Sequence, residues 1–130
     1  AVWAETRGAQ APLPKIGLGR FIVVAESDDA ALALARRAYP RWHDSFTFLF
    51  RRYGRIPSHA RPPDWDTLQR IGQGVAGAPD TVIAFLRDQH RVTGANYCVG
   101  QFAFGDLTLA ETMASLALFT RRVMPVLKDA

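Results

Sequence analysis

A chain of 130 residues, 48% of them apolar, is long enough for one globular domain with its own core, and it holds no apolar run long enough to span a bilayer. The net charge of +4 would suit a nucleic-acid partner, but the arginines are scattered, with one cluster at Arg51, Arg52, Arg55 and Arg61. No established nucleic-acid motif accompanies them and no secretory leader pattern opens the chain, so neither nucleic acid nor membrane is expected as a partner.

Cys98 is the single cysteine, which excludes an internal disulfide. Its place inside an apolar run predicts a buried thiol and a cytoplasmic protein. The chain opens on Ala1 rather than Met, which predicts either processing or a piece of a longer protein.

In chain order, residues 1–7 read as the tail of a helix stopped by Gly8, and residues 9–14 as a proline-rich connector. Residues 16–25 are the clearest strand, because Phe21, Ile22, Val23 and Val24 form the continuous apolar run of a strand covered on both faces. Residues 26–29 place acidic and hydroxyl groups where a helix begins, and residues 30–39 are strongly helical by propensity. Pro40 is expected to kink or restart that helix, which continues over residues 41–53 with an aromatic surface. Residues 54–63 lack periodicity and hold three prolines, as an excursion or lid loop would. A short helix is expected over residues 65–71.

The stretch from Val75 to Leu127 then organises the rest. Pro79 suits a first helical position and Gly94 a helix end, with Val82, Phe85, Leu86, Gln89 and Val92 at helical spacing between them. Residues 96–103 fit a second buried strand. Thr108 and Glu111 form a capping-box pattern, after which Leu109, Met113, Leu116, Phe119, Val123 and Leu127 mark one apolar helix face. Helices flanking doubly buried strands imply an α/β fold with a parallel sheet.

Chemical motifs are sparse. Gly72-Gln73-Gly74-Val75-Ala76-Gly77 matches the dinucleotide fingerprint, but residues 64–71 before it are not the strand from which that loop must spring. A milder expectation is that the N–H groups of residues 78–81 bind an anion. His43, His59 and His90 lack metal spacing, and no metal is expected. No nucleophile elbow or Cys/His arrangement is present.

Three stretches together resemble the carboxyl-terminal portion of the bacterial luciferase-like flavin monooxygenases. They are Ile16-Gly-Leu-Gly-Arg-Phe-Ile-Val-Val-Ala-Glu-Ser27 with its alanine-rich helix, Val75-Ala-Gly-Ala-Pro-Asp-Thr-Val82, and Gln101-Phe-Ala-Phe-Gly-Asp-Leu107. The tail from Leu116 to Leu127 is similar to that family's closing helix. The resemblance implies the last two strand–helix units of a TIM (β/α)8 barrel, with residues 16–25 as the seventh strand, residues 96–103 as the eighth, and an insertion or lid within residues 41–71. It also implies reduced FMN as cofactor, with the deazaflavin F420 as the alternative, and a small organic substrate oxidised by O₂.

A barrel takes about 250 residues, so the resemblance makes this chain a segment that is inactive alone and either forms a homo-oligomer or docks onto a missing barrel portion. Barrel sites lie at the carboxyl ends of strands, which selects Glu26 and Ser27 after the first strand and Gln101, Phe102, Phe104 and Asp106 after the second. Gln101 is expected to hydrogen-bond flavin or substrate, and Phe102 or Phe104 to form an apolar wall. No catalytic acid or base is selected. The alternative from another class is a small stand-alone α/β module that binds an anion without catalysis.

Overall fold

Phe21, Ile22, Val23 and Val24 run through the centre of the molecule, each almost wholly withdrawn from solvent. They end strand β1 (Gly17–Val24) in a computed structural model that describes residues 2–8, 11–12 and 14–128. Part of the expected connector at residues 9–14 therefore lies outside the described residues. The helix expected at the start is present as α1 (Val2–Arg7), followed by Gly8 at a φ of 88°.

Three parallel strands make one sheet in the order β2-β1-β3, with β2 at Gly74–Gly77 and β3 at Tyr97–Gln101. The two expected strands are adjacent and parallel, as Gly17 pairs with Tyr97 and Phe21 with Gln101. The expectation of two strands is corrected to three. The carboxyl half of β1 pairs on its other side with β2, from Phe21 opposite Gly74 to Val24 opposite Gly77. A four-residue strand rich in glycine carries almost no β-propensity, so nothing local announced it.

Alternation of side chains along β1 sends neighbouring residues to two different cores. Phe21 and Val23 pack with Ala31, Ala35, Ala38 and Tyr39 of α2 (Asp28–Arg52) and with Trp65 and Leu68 of α3 (Trp65–Arg70). Ile22 and Val24 pack on the opposite face with Val82, Ile83 and Leu86 of α4 (Pro79–Thr93) and with Val123. Small alanines on α2 let the helix lie close to the sheet.

Local signals set most helix ends where expected. The Ser27 hydroxyl accepts from the Ala30 N–H, Pro79 opens α4, and Gly94 closes it in the left-handed region at φ 68°. Thr108 and Glu111 form the reciprocal capping box of α5 (Leu109–Leu118).

Pro40 does not break α2, which runs unbroken for 25 residues. Proline removes one N–H and crowds the turn before it, but here Tyr39 is buried beside it while Pro40 itself faces solvent. A helix of that length spans roughly 37 Å and overshoots the sheet. The loop after it therefore returns near the amino-terminal start of β2, where Arg61 Nη1 donates to Gln73 Oε1 at 2.6 Å and Tyr39 Oη donates to the Pro62 carbonyl at 2.8 Å. The end of this loop is thus pinned near the start of β2.

The closing helix also departs from its expected face. Leu109 and Met113 are 78% and 56% exposed, whereas Thr112, Ser115 and Val123 are buried. A π-helical turn at Phe119–Val123, leading into α6 (Met124–Lys128), inserts extra chain and shifts the face that meets the sheet. Cys98 is exposed rather than buried, because β3 is an edge strand with Tyr97 and Val99 half in solvent. Among the described residues, no helix is long and apolar enough to cross a membrane.

Beyond Gln101, β1 continues without a β3 partner, and α5 takes over: the Val24 N–H donates to Ser115 Oγ at 2.8 Å in a buried setting. Ser115→Ala leaves that N–H without an acceptor, a loss of about 1–3 kcal/mol for a buried donor. Urea unfolding should show this as a lowered midpoint at unchanged slope; an unchanged midpoint would mean that water replaces the hydroxyl.

Candidate functional site

In an open parallel sheet, ligands sit outside the carboxyl ends of the strands, where adjacent strands send their connections apart. Here β1 leads into α2 on one face, whereas β3 leads towards α5, whose Ser115 meets β1 and whose continuation packs on the other. That rule places the candidate site at the crevice between residues 25–27 and 101–108, the stretches that hold Glu26, Ser27, Gln101, Phe102, Phe104 and Asp106.

The structure gives most of them other partners. Ser27 caps α2, so its hydroxyl is engaged with the Ala30 N–H. Glu26 is exposed and faces Arg122 at 3.7 Å. Phe102 is half-buried and meets the Phe119 ring edge-on, with centroids 4.9 Å apart. Phe104 is buried, stacked on Trp65 at 6.0 Å and edge-on to Phe21 at 5.1 Å. Phe104 thus belongs to one core, and Phe102 packs against the other from a half-buried position. Gln101 is exposed at the end of β3, whereas the equally exposed Ser27 has its hydroxyl engaged in the α2 cap.

Asp106 belongs to a charge cluster that sequence patterns left unremarked. Its carboxylate takes Arg37 Nε and Arg41 Nε, both at 3.2 Å. Arg37 also forks onto Glu111, with Nη1 to Oε1 at 3.0 Å and Nη2 to Oε2 at 2.7 Å, the bidentate geometry that suits a guanidinium. The i, i+4 spacing of Arg37 and Arg41 on a helix was the signal available, but nothing local tells which carboxylates they will meet. Two cations and two anions leave the cluster neutral.

Hydrogen bonds from Arg37 and from the Thr108 N–H pull the Glu111 carboxyl down to about 2, from an ordinary 4.5. A depressed carboxyl stabilises the fold above its unfolded value and loses that contribution as pH falls through its folded one. The chain should therefore lose stability between pH 4.5 and 2, and Glu111→Gln should flatten that slope in a pH series of urea melts. Equal slopes for the two proteins would show that the cluster does not hold α5.

The anion site expected at the start of α4 is filled from within. Asp28 Oδ1 accepts from the Ala78 N–H at 2.7 Å, and this bond, with one from Thr81, lowers the Asp28 pKa. A carboxylate already occupying the positive end of the helix dipole repels a second anion. His43 is far from the crevice in function, its Nε2 paired with the Arg61 carbonyl at 3.0 Å. Among the described residues no group of His, Cys, Asp and Glu could hold a metal ion.

No family model matches the chain. Over 94 residues, 72% of this chain, it is 37% identical to the uncharacterized protein y4wF of Sinorhizobium fredii, and the match spans only 28% of that protein. Among solved structures it resembles the monooxygenase RslO1 from Streptomyces bottropensis, with a TM-score of 0.66 and 17% identity. That likeness takes in 95% of this chain and 35% of the other, and at such identity it is a likeness of fold.

Proposed function

We propose that the chain is the carboxyl-terminal part of a luciferase-like, flavin-dependent monooxygenase that oxidises a small organic substrate with O₂ and reduced FMN. The observation that carries this reading is the fold likeness to a monooxygenase along nearly the whole chain. The three luciferase-like motifs, at residues 16–27, 75–82 and 101–107, select the flavin branch. In this reading β1 and β3 are neighbouring strands of a TIM barrel, and β2 sits on the flank of β1 that the preceding strand would hold.

The crevice residues do not by themselves fit a flavin. Phe102 and Phe104 are packed in the core, Ser27 is a cap, and Glu26 and Asp106 face arginines, which leaves Gln101 as a single hydrogen-bonding side chain. A flavin site needs convergent loops that bury the ring and hold its phosphate. The chain supplies one rim of such a site, and the remaining walls belong to the rest of the enzyme.

The test is a titration with FMN and, without oxygen, with FMNH₂, of the 130-residue chain beside the longest polypeptide encoded in frame with it. The chain alone should not saturate at micromolar flavin, whereas the longer polypeptide should. Failure of the longer polypeptide to bind flavin would overturn the reading. Micromolar binding by the chain alone would show that it holds a complete site.

A further inference from the structure

At the end of the sheet opposite the crevice, a cavity of about 520 Å³ opens between α4, the start of β3 and α6. Leu18, Leu86 and Leu127 give it apolar walls, Arg20, Arg87 and Lys128 give it cations, and among the described residues no Asp or Glu lines it. The corner that closes it is held in place: Asn96 Oδ1 accepts from the Ile16 N–H at 2.7 Å, its Nδ2 donates to the Pro14 carbonyl at 3.1 Å, and a His90 ring nitrogen pairs with the Ala95 carbonyl. A largely preformed apolar concavity with a few convergent polar groups is what a small-molecule site requires.

Arg20 is the telling residue. Arg36, Arg37, Arg41, Arg51, Arg91 and Arg122 all meet carboxylates. Arg20 is half-buried and has only neutral acceptors among the described residues. Its Nε and Nη2 donate to Gln89 Oε1 at 2.9 and 2.6 Å, and its Nη1 donates to the Gly19 carbonyl at 2.8 Å. Burial lowers its pKa, the neighbouring Cys98 works against that shift and Arg61 adds to it, so among the described residues no carboxylate offsets its partial desolvation. Each Nη carries two N–H groups, so one on each remains for an anion. Gln89 meanwhile holds the guanidinium in a fixed orientation.

We propose that this groove binds an amphiphilic monoanion, an aliphatic carboxylate by class, with its charged end on Arg20 and its chain along Leu18, Leu86 and Leu127. Arg87 and Lys128 add long-range attraction at the exposed side, where each is worth less than the partly desolvated Arg20. The site is independent of the flavin reading, because it lies at the other end of the strands and shares no residue with the crevice.

Calorimetric titration of the 130-residue chain with octanoate, octanol and inorganic phosphate tests it. Octanoate should bind saturably at one site, and octanol and phosphate at least tenfold more weakly, since each lacks half of the recognition. Arg20→Gln should weaken octanoate at least tenfold, and the surface change Lys128→Glu severalfold, while Arg36→Gln on α2 leaves it unchanged. Circular dichroism establishes that each variant is folded; if Arg20→Gln is not, Lys128→Glu carries the decision. No saturable octanoate binding, equal binding of octanol or phosphate, or indifference to both Arg20→Gln and Lys128→Glu would overturn the proposal. A groove filled by a second copy of the chain would also overturn it, as a mass that rises with concentration and no uptake of octanoate.

Discussion

Gly105→Ala should destabilise the fold by about 4 kcal/mol, the sum of left-handed backbone strain and overpacking. Gly105 sits at φ 59°, and a Cβ there would run into the carbonyl group of Ala38 on α2. The obstacle is backbone rather than a flexible side-chain end, so relief requires the β3–α5 loop to lift from α2. That movement would pull Asp106 away from Arg37 and Arg41 and disturb the crevice as well as the core. Gly94→Ala is the internal control. Its φ of 68° is equally left-handed, but nothing lies within 4 Å of the added carbon. It should cost only about 1 kcal/mol. Urea melts of the two variants separate the causes: similar losses would mean that φ alone decides, and that the loop is not pressed against α2.

The purified chain should associate in solution. Among the described residues one side of β3 carries no strand, and its Tyr97 and Val99 are 50% and 53% exposed. Leu109 and Met113 lie bare on α5. An unpaired edge offers a row of N–H and C=O groups to any passing strand, and apolar surface beside it adds a driving force without direction. The chain spans 28% of its Sinorhizobium relative and 35% of the monooxygenase it resembles, so in those proteins further chain is available to cover such surfaces. Light scattering at micromolar concentration should give a mass above the 14.4 kDa of one chain. Val99→Lys, which places a charge on the edge, should return most of it to monomer. A monodisperse wild-type monomer with a cooperative melt would argue instead for the independent module.

What could be read from the amino-acid order alone was whatever depends on a few neighbours along the chain. The Ser27 cap, Pro79 at a helix start, Gly94 at a helix end and the Thr108–Glu111 box are satisfied within one turn, so their geometry is written locally. The continuous apolar run of β1 was legible for a related reason, since a strand buried on both faces leaves no room for polar alternation. Its pairing with β3 followed from the same logic. Burial of everything else depended on which element came to lie beside which. Cys98 is exposed because β3 is an edge strand among the described residues, and Leu109 and Met113 are exposed because a π turn redirects the helix towards the sheet. The four residues of β2 became a strand only because the edge of β1 offered them hydrogen bonds. The candidate site divides in the same way. The carboxyl-end rule selected its six residues, but their partners, from Trp65 for Phe104 to two arginines for Asp106 and Arg122 for Glu26, come from elements distant in the sequence. Such contacts are chosen by packing across the whole sheet, and the tertiary structure alone decides them.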